Sequence, residues 1–572
     1  MDIFHFQVLL LFFQSFVTDF GSLPAFAYNR NMYRPLRIYP YFGDNLKYEL
    51  SDQEAQILKN TINNVILYVK KILSVIPTEG YLLLERNACK SSWTGGRNAG
   101  KCASIRKDYV GEFCLDNFMI PDEHLEAFYT WTNRPLPDRT WYTDGVGVKN
   151  ADYILYVQAR TTKSCMTNFS PESTSTLMAY ASYCKLGKND RPIAGYINFC
   201  ASEFKKYKSN RNKRILITLH EVFHALGFSK DLILNFRDFR QETFDTVELP
   251  HYSFPILREN NGTYWLLTPT VVSKMQEQFA CQETGSNLPE GAPMTDKENV
   301  LQSHWDSSFL PGSVMSSKLG EPEYTFVDPI TLAVFRDTGW YDVNFAYGDD
   351  YLWGKKKGCN FLKSLNSKEI PDLQKQCSVD FSSGCNYLQT EVINCENSEL
   401  FSTSDAEEKS IENCRFNSSG SFYEAESSLD VGRCILYEKN LVMNGRCVVA
   451  RCSVGDVYIK LRSIDPNWVK CSSGEIIEDT VEGGFVTCPV DEESFCARRN
   501  LPVYLQDLVT LEATTVTERP RATYPVTQGN MYSVEEITNS RTANIGQSCS
   551  TYSTNVAKTI FLLFVVKLII NL

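Results

Sequence analysis

Histidine is scarce in this chain of 572 residues: it has six. Any imidazole-based metal or acid–base centre must draw on His5, His124, His220, His224, His251 and His304. Cations are in deficit as well. There are 57 Lys and Arg against 68 Asp and Glu, a net charge of −11, which argues against a nucleic-acid binder. Not one of the nineteen Cys falls in a C-x-x-C pair. Cysteines spread along the chain in this way favour disulfides and an oxidising compartment over Cys-ligated zinc. No apolar run reaches the roughly 20 residues of a membrane-spanning helix. The nearest, Thr559 to Leu572, is short and interrupted by Lys567. With 43% hydrophobic and 22% charged residues the chain reads as globular, and its length allows two to four domains.

Two of the six histidines lie together, in His220-Glu221-Val222-Phe223-His224-Ala225-Leu226-Gly227. The residues before them, Arg214 to Leu219, are mostly apolar and contain no Gly or Pro, which predicts a helix. Residues four apart share a helix face, so both imidazoles can aim at one Zn²⁺. Glu221 is then placed to reach a water at the metal and act as general base. Gly227 lets the chain leave the helix. The plain alternative is an amphipathic helix with two incidental histidines.

A catalytic zinc needs a third protein ligand and an open fourth position. Metzincins place a His ten residues after the first; here that residue is Lys230. The expected third ligand is His304, with His251 second. Met315 follows His304 within Pro311-Gly312-Ser313-Val314-Met315, where a metzincin carries the Met-turn beneath its metal. Core packing would also account for Met315. A Glu downstream of the motif, Glu242 or Glu248, would take the place of His304 in a peptidase of another clan.

These residues resemble the leishmanolysin family, membrane-associated zinc metallopeptidases of the metzincin clan. The segment from His220 to Ser229 is close to the family's zinc helix, and the family also separates its second and third His by a long insertion. Ala194-Gly195-Tyr196-Ile197-Asn198, Asp337-Thr338-Gly339-Trp340-Tyr341 and Trp353-Gly354 with Gly358-Cys359-Asn360-Phe361-Leu362 resemble further family segments. The resemblance covers roughly residues 35 to 497. It implies that the strand before the zinc helix is an edge strand that aligns substrate. Family members tend to carry acidic residues just before the Met, where this chain has Pro311-Gly312-Ser313. Many are held latent by a propeptide Cys. No Cys precedes Cys89 here, so no such latency is expected.

The resulting domain plan has six parts. Residues 1–27 read as a signal peptide, with an apolar core and a small-x-small site at Ala25-Phe26-Ala27, although the leader lacks Lys and Arg. Residues 28–228 form an N-terminal catalytic subdomain. Within it Ser51 and Glu54 predict a capping box opening a helix to Ile76, and Tyr81–Leu84, Tyr153–Gln158 and Gly195–Phe199 predict strands. The basic run Lys205–Arg214 reads as a solvated loop. Residues 229–350 carry the third His and Met-turn among loops and short strands. Residues 351–510 form a Cys-rich domain poor in helix. Residues 511–548 read as a Ser/Thr-rich stalk and 549–572 as an anchor signal. A lipid anchor fits that last layout; a short transmembrane segment and a secreted chain are the alternatives. Sequons stand at Asn168, Asn261 and Asn417.

The expected fold is therefore α+β: a metzincin-like catalytic region, a twisted sheet plus zinc helix, followed by a disulfide-rich C-terminal domain. The expected activity is Glu221-assisted endopeptidase hydrolysis of protein substrates with one Zn²⁺ per chain on His220, His224 and His304. A binding or adhesion protein on the same fold is the alternative.

Overall fold

The computed structural model describes residues 32–43, 46–166, 177–241, 249–260, 262–282, 291–294, 300–367, 382–386, 388–394, 410–414, 430–453, 456–461, 467–489, 492–496 and 502–506. The leader, the three sequons, Glu242, Glu248, Cys377, Cys395, Cys549, the stalk and the tail lie outside these residues, and so do the expectations that rest on them. No described helix is long and apolar enough to cross a membrane.

Strand β1 (Ile38–Phe42) precedes helix α1 (Asp52–Ile72). The capping box is formed: Ser51 Oγ accepts from the Glu54 amide, and Glu54 Oε2 accepts from the Ser51 amide at 2.9 Å. One face of α1, with Leu58, Ile62, Val65, Val69 and Ile72, is buried in the main core. The helix ends at Ile72, four residues before Ile76. Leu73–Val75 is instead a strand that pairs with Arg34–Pro35 and with Asp342–Val343. Leu73 and Val75 are both buried with Ser74 between them, a period-two pattern, and Pro77 biases its predecessor toward extended backbone.

The central sheet has four strands. β2 (Tyr153–Ala159) pairs parallel with β1 and with β4 (Pro192–Phe199), and β3 (Ala179–Leu186) runs antiparallel on the outer side of β4. Along β2 the residues alternate between two cores. Tyr153, Leu155 and Val157 face the large one, while Ile154 and Tyr156 face a smaller one with Leu82, Leu84, Ile120 and Leu125. Burial on both faces explains the near-continuous apolar sequence. The strand before the helix of the motif, β4, is thus internal, not the expected edge; among the described residues the edges are β3, beside β4, and β1. The segment Tyr81–Leu84 is shorter than expected, a two-residue strand Tyr81–Leu82 paired with Val148–Lys149.

The basic run is not a loop. It forms the end of α2 (Ala201–Tyr207) and the start of α3 (Arg211–Leu226). Ala201, Phe204 and Tyr207 are buried at helical spacing, and this apolar stripe outweighs the charge of the run. Lys206 pairs with Glu203 and Lys208 with Glu54, and Asn210 caps α3 by accepting from the Lys213 amide at 3.0 Å. The central region also holds more helix than expected: α4 (Pro269–Phe279) and α5 (Pro329–Asp337) accompany the hairpin Leu257–Asn260 and Thr263–Leu266. Pro269 marks a helix start, where a missing N–H costs nothing.

Eight disulfides are formed among the described residues. Cys89–Cys102, Cys114–Cys184 and Cys165–Cys200 lie in the N-terminal region, and Cys281–Cys359 ties α4's end to the segment after Trp353. Cys385–Cys434, Cys414–Cys447, Cys452–Cys496 and Cys471–Cys488 staple the C-terminal region. That region is built on a long hairpin, Asp430–Lys439 with Val442–Ser453, within a six-stranded sheet. The last described segment returns to the main core: Tyr504 is fully buried and its hydroxyl donates to the carbonyls of Pro322 and Thr325.

Gly195 sits where β4 crosses under α3. A Cβ there would overlap the Tyr153 hydroxyl and press on Ala225. That hydroxyl donates to the Ala225 carbonyl at 2.7 Å, so the glycine makes room for a bond to the helix end. Gly195→Ala is expected to cost about 1–3 kcal/mol by overpacking, read as a lowered midpoint in urea. An unchanged midpoint would show that the close approach is not maintained in solution.

Candidate metal centre

Helix α3 carries the motif, and its last two turns are buried. His220, Glu221 and His224 are only 6%, 7% and 8% exposed, although each is polar. Buried polar groups of this kind need partners. The Nδ1 atoms have them. His220 Nδ1 lies 2.6 Å from the Val314 carbonyl and His224 Nδ1 lies 2.8 Å from the Phe228 carbonyl. A carbonyl accepts, so each Nδ1 carries the proton and each Nε2 presents a lone pair.

Those lone pairs converge with that of His304. The three Nε2 atoms are 3.1 Å (His220–His224), 3.2 Å (His220–His304) and 3.0 Å (His224–His304) apart. Among the described residues these three form the one group of His, Cys, Asp or Glu side chains arranged to hold a metal ion. Nitrogens at 2.0–2.1 Å from a tetrahedral zinc would be about 3.3 Å apart. The donor set, three neutral imidazoles with two Nδ1–H groups fixed by carbonyls, therefore fits zinc. His251 is elsewhere, with Nδ1 at 3.3 Å from the Phe236 carbonyl, and His124 is buried against Tyr156.

The chain brings the remote His304 in by backbone bonds. The Lys230 amide donates to Ser303 Oγ at 3.0 Å, so the loop bearing His304 docks beside the residue that a contiguous motif would use as ligand. The Trp305 amide donates to the Met315 carbonyl at 2.8 Å, and the Ser317 amide to the Trp305 carbonyl at 3.0 Å. Met315 is fully buried and its turn abuts the ligand loop. Ser313, where an acidic residue was expected from the family pattern, donates to Asp328 Oδ2 at 2.5 Å. Asp328 caps α5 and also accepts from Thr331 Oγ1, whose oxygen takes the Trp305 indole N–H at 2.9 Å. The carboxylate is thus supplied from fifteen residues downstream. Asp328, Thr331 and Trp305 escaped the sequence reading; the sequence Asp328-Pro329 as a helix start was the available signal.

The helix end is held as firmly. Gly227 has φ 128°, and a Cβ there would meet the Trp340 ring at 2.8 Å. This turn brings the Phe228 carbonyl back to His224. The carbonyls of Ala225 and Leu226, otherwise orphaned at a helix terminus, accept from the Tyr153 and Tyr341 hydroxyls at 2.7 and 2.8 Å.

Burial sets the protonation states. It lowers His220 well below the usual range, with further lowering by its two imidazole neighbours; it lowers His224 to about 4 and His304 to about 3. Burial alone pushes the Glu221 carboxyl up to about 8. A dication beside it acts in the opposite direction. For the three imidazoles of the metal-free protein the sign is fixed: pKa values depressed below the unfolded value of 6.5 contribute stability present above that pH and lost as pH falls, while the raised Glu221 carboxyl has the opposite sign. For His224 the loss amounts to about 2 kcal/mol by pH 5. Between pH 7 and pH 5 the urea midpoint of metal-free protein should therefore drop relative to that of a His220→Gln, His224→Gln, His304→Gln variant, which keeps Glu221 but lacks the three imidazoles. Parallel profiles would mean that the three rings are solvated.

Known metallopeptidases resemble this chain in sequence. The family model for leishmanolysin matches residues 133–400. The ciliated left-right organizer metallopeptidase of Xenopus laevis is 31% identical over 485 residues, 80% of this chain and 63% of its own. Its mouse counterpart is 32% identical over 375 residues, 64% of this chain and 51% of its own. The leishmanolysin-like peptidase of Drosophila melanogaster is 27% identical over 362 residues, 57% and 50% of the two chains. The chain thus spans between half and two-thirds of the length of these curated relatives. Family model and relatives converge: this chain carries a leishmanolysin family domain over residues 133–400.

Proposed function

We propose that this chain is a zinc-dependent endopeptidase of the metzincin type that hydrolyses proteins outside the cell or at its surface. The observation that carries the reading is the meeting of three Nε2 lone pairs within 3.2 Å, with Glu221 on the same helix turn. His220, His224 and His304 hold one Zn²⁺. When bound, the zinc polarises the scissile carbonyl and makes a water acidic near neutral pH. Glu221 takes the proton of that water and delivers it to the leaving amine. Met315 floors the site and does no chemistry. Relatives named as metallopeptidases support the activity, and eight disulfides support an oxidising compartment.

Substrate needs an unpaired strand edge. β3 ends the sheet and packs beside α3, so its outer edge is the place where an extended peptide would add as a further strand. This assigns to β3 the role first expected of β4.

Glu221→Ala is expected to lower cleavage of a quenched generic peptide by about 10²–10⁴-fold while zinc stays near one per chain. His304→Ala should lose zinc and activity together, and chelation should reproduce that loss in the parent. Zinc in the parent with no cleavage would favour a binding protein on this fold. Zinc retained by His304→Ala would remove His304 from the ligand set.

A further inference from the structure

One stretch opposes the acidic character of the chain. Between Cys89 and Lys107 there are five cations, Lys90, Arg97, Lys101, Arg106 and Lys107, and no Asp or Glu. The stretch is a hairpin. Cys89–Ser92 pairs antiparallel with Cys102–Ile105, the disulfide Cys89–Cys102 closes it, and a Gly-rich loop from Trp93 to Lys101 joins the strands. The sequence reading passed over this run because its cations are spaced out, whereas Lys205–Arg214 is dense. The structure reverses their standing. In the dense run Lys206 and Lys208 are spent on Glu203 and Glu54.

On the hairpin no cation makes an ion pair with any described carboxylate. Lys101 lies over the Trp131 ring at 5.4 Å and Arg106 over Tyr109 at 5.7 Å. Lys90, Arg97, Arg106 and Lys107 are exposed. Asp108 comes directly after but does not pair with them. Like charges held together without counter-charges repel, which a fold tolerates more readily when an outside anion neutralises them.

We propose that this hairpin binds a sulfated polysaccharide. Three features select that partner. The cations run from the first strand (Lys90) through the loop (Arg97, Lys101) to the residues just past the second strand (Arg106, Lys107). A four-residue strand alone spans about 13 Å, so the array suits a linear polyanion and exceeds what a single phosphate or carboxylate covers. Exposed hydroxyls stand between the cations, on Ser91, Ser92 and Thr94, which suits sulfate and sugar oxygens. The larger side chains of the hairpin, Trp93 and Ile105, are half-buried, with the Trp93 indole N–H donating to the Trp131 carbonyl at 2.8 Å, and the exposed large apolar side chains nearest in sequence are Tyr81 and Val110. An anionic membrane surface, which binds best where apolar groups insert as well, is therefore the weaker fit. The disulfide fixes the two strands, so little ordering is lost on binding, and it places the chain in the oxidising surroundings where such glycans occur.

The test uses the full chain with its metal, on immobilised heparin and against phosphatidylserine vesicles and a DNA duplex at matched salt. The comparison variant is Lys90→Ala, Arg97→Ala, Lys107→Ala, which leaves the ring contacts of Lys101 and Arg106 in place. The parent should be retained on heparin at 0.15 M NaCl, a roughly physiological ionic strength. The triple variant should bind at least tenfold more weakly, with peptide cleavage, zinc content and melting temperature unchanged. Failure of the parent to bind heparin would overturn the proposal, and so would equal retention of the variant. Hairpin-dependent binding to vesicles without heparin binding would assign the surface to lipid instead. Equal affinity for DNA would reduce it to unspecific cation exchange. Since every arm reads binding, the result does not depend on the peptidase reading.

Discussion

Three imidazole nitrogens held 3.0–3.2 Å apart with their lone pairs facing one another are a constraint before they are a site. No ring can take up a proton there without pressing a charge on two neighbours in a buried setting. Neutral rings alone do not attract in this orientation either. Other groups hold two of the rings in place, and the three nitrogens are spaced so that a cation fits among them. The carbonyls of Val314 and Phe228 fix two rings from behind. Both come from tight turns, one before Met315 and one after Gly227.

Those turns depend in their turn on buried polar groups. Asp328 is fully buried and accepts from Ser313, Thr331 and its own helix start. Through Thr331 it reaches Trp305, the neighbour of His304. One carboxylate thus ties the turn behind His220 to the loop that carries His304. At the other side Tyr153 and Tyr341 close the end of α3, and Gly195 and Gly227 leave the space that these approaches need. A partly satisfied network would be worse than an apolar core; here the central members are bonded to one another.

Local chemistry was legible in the sequence and long-range pairing was not. Ser51 with Glu54 announced a helix start, and the four-residue spacing of His220 and His224 announced a shared face. Both come from helix geometry within one or two turns. His304 was reached by elimination among six histidines and by its distance from Met315. The misreadings share a cause. β4 was taken for an edge because strand order is set by partners far away in sequence. Lys205–Arg214 was taken for a loop because its charge hid the buried stripe of Ala201, Phe204 and Tyr207. Pro269 is punctuation whose sense, helix start or loop, depends on how the next ten residues pack. Beyond its role as a helix cap, Asp328 could not be placed without knowing that Ser313 lies against it.

Moving the third ligand far along the chain is cheaper than it looks. A contiguous motif would close a loop of six residues from His224 to position 230; here His304 stands 80 residues beyond His224. Loop-closure entropy grows only as the logarithm of length, so the longer loop costs about 2 kcal/mol more. Burial of the Trp305 ring alone is of that order or larger, and Trp305 is fully buried. The amide of Lys230 still marks the old place by binding Ser303. The insertion is therefore tolerated because the ligand loop brings its own core residue and docks at the position that the shorter chain would have filled.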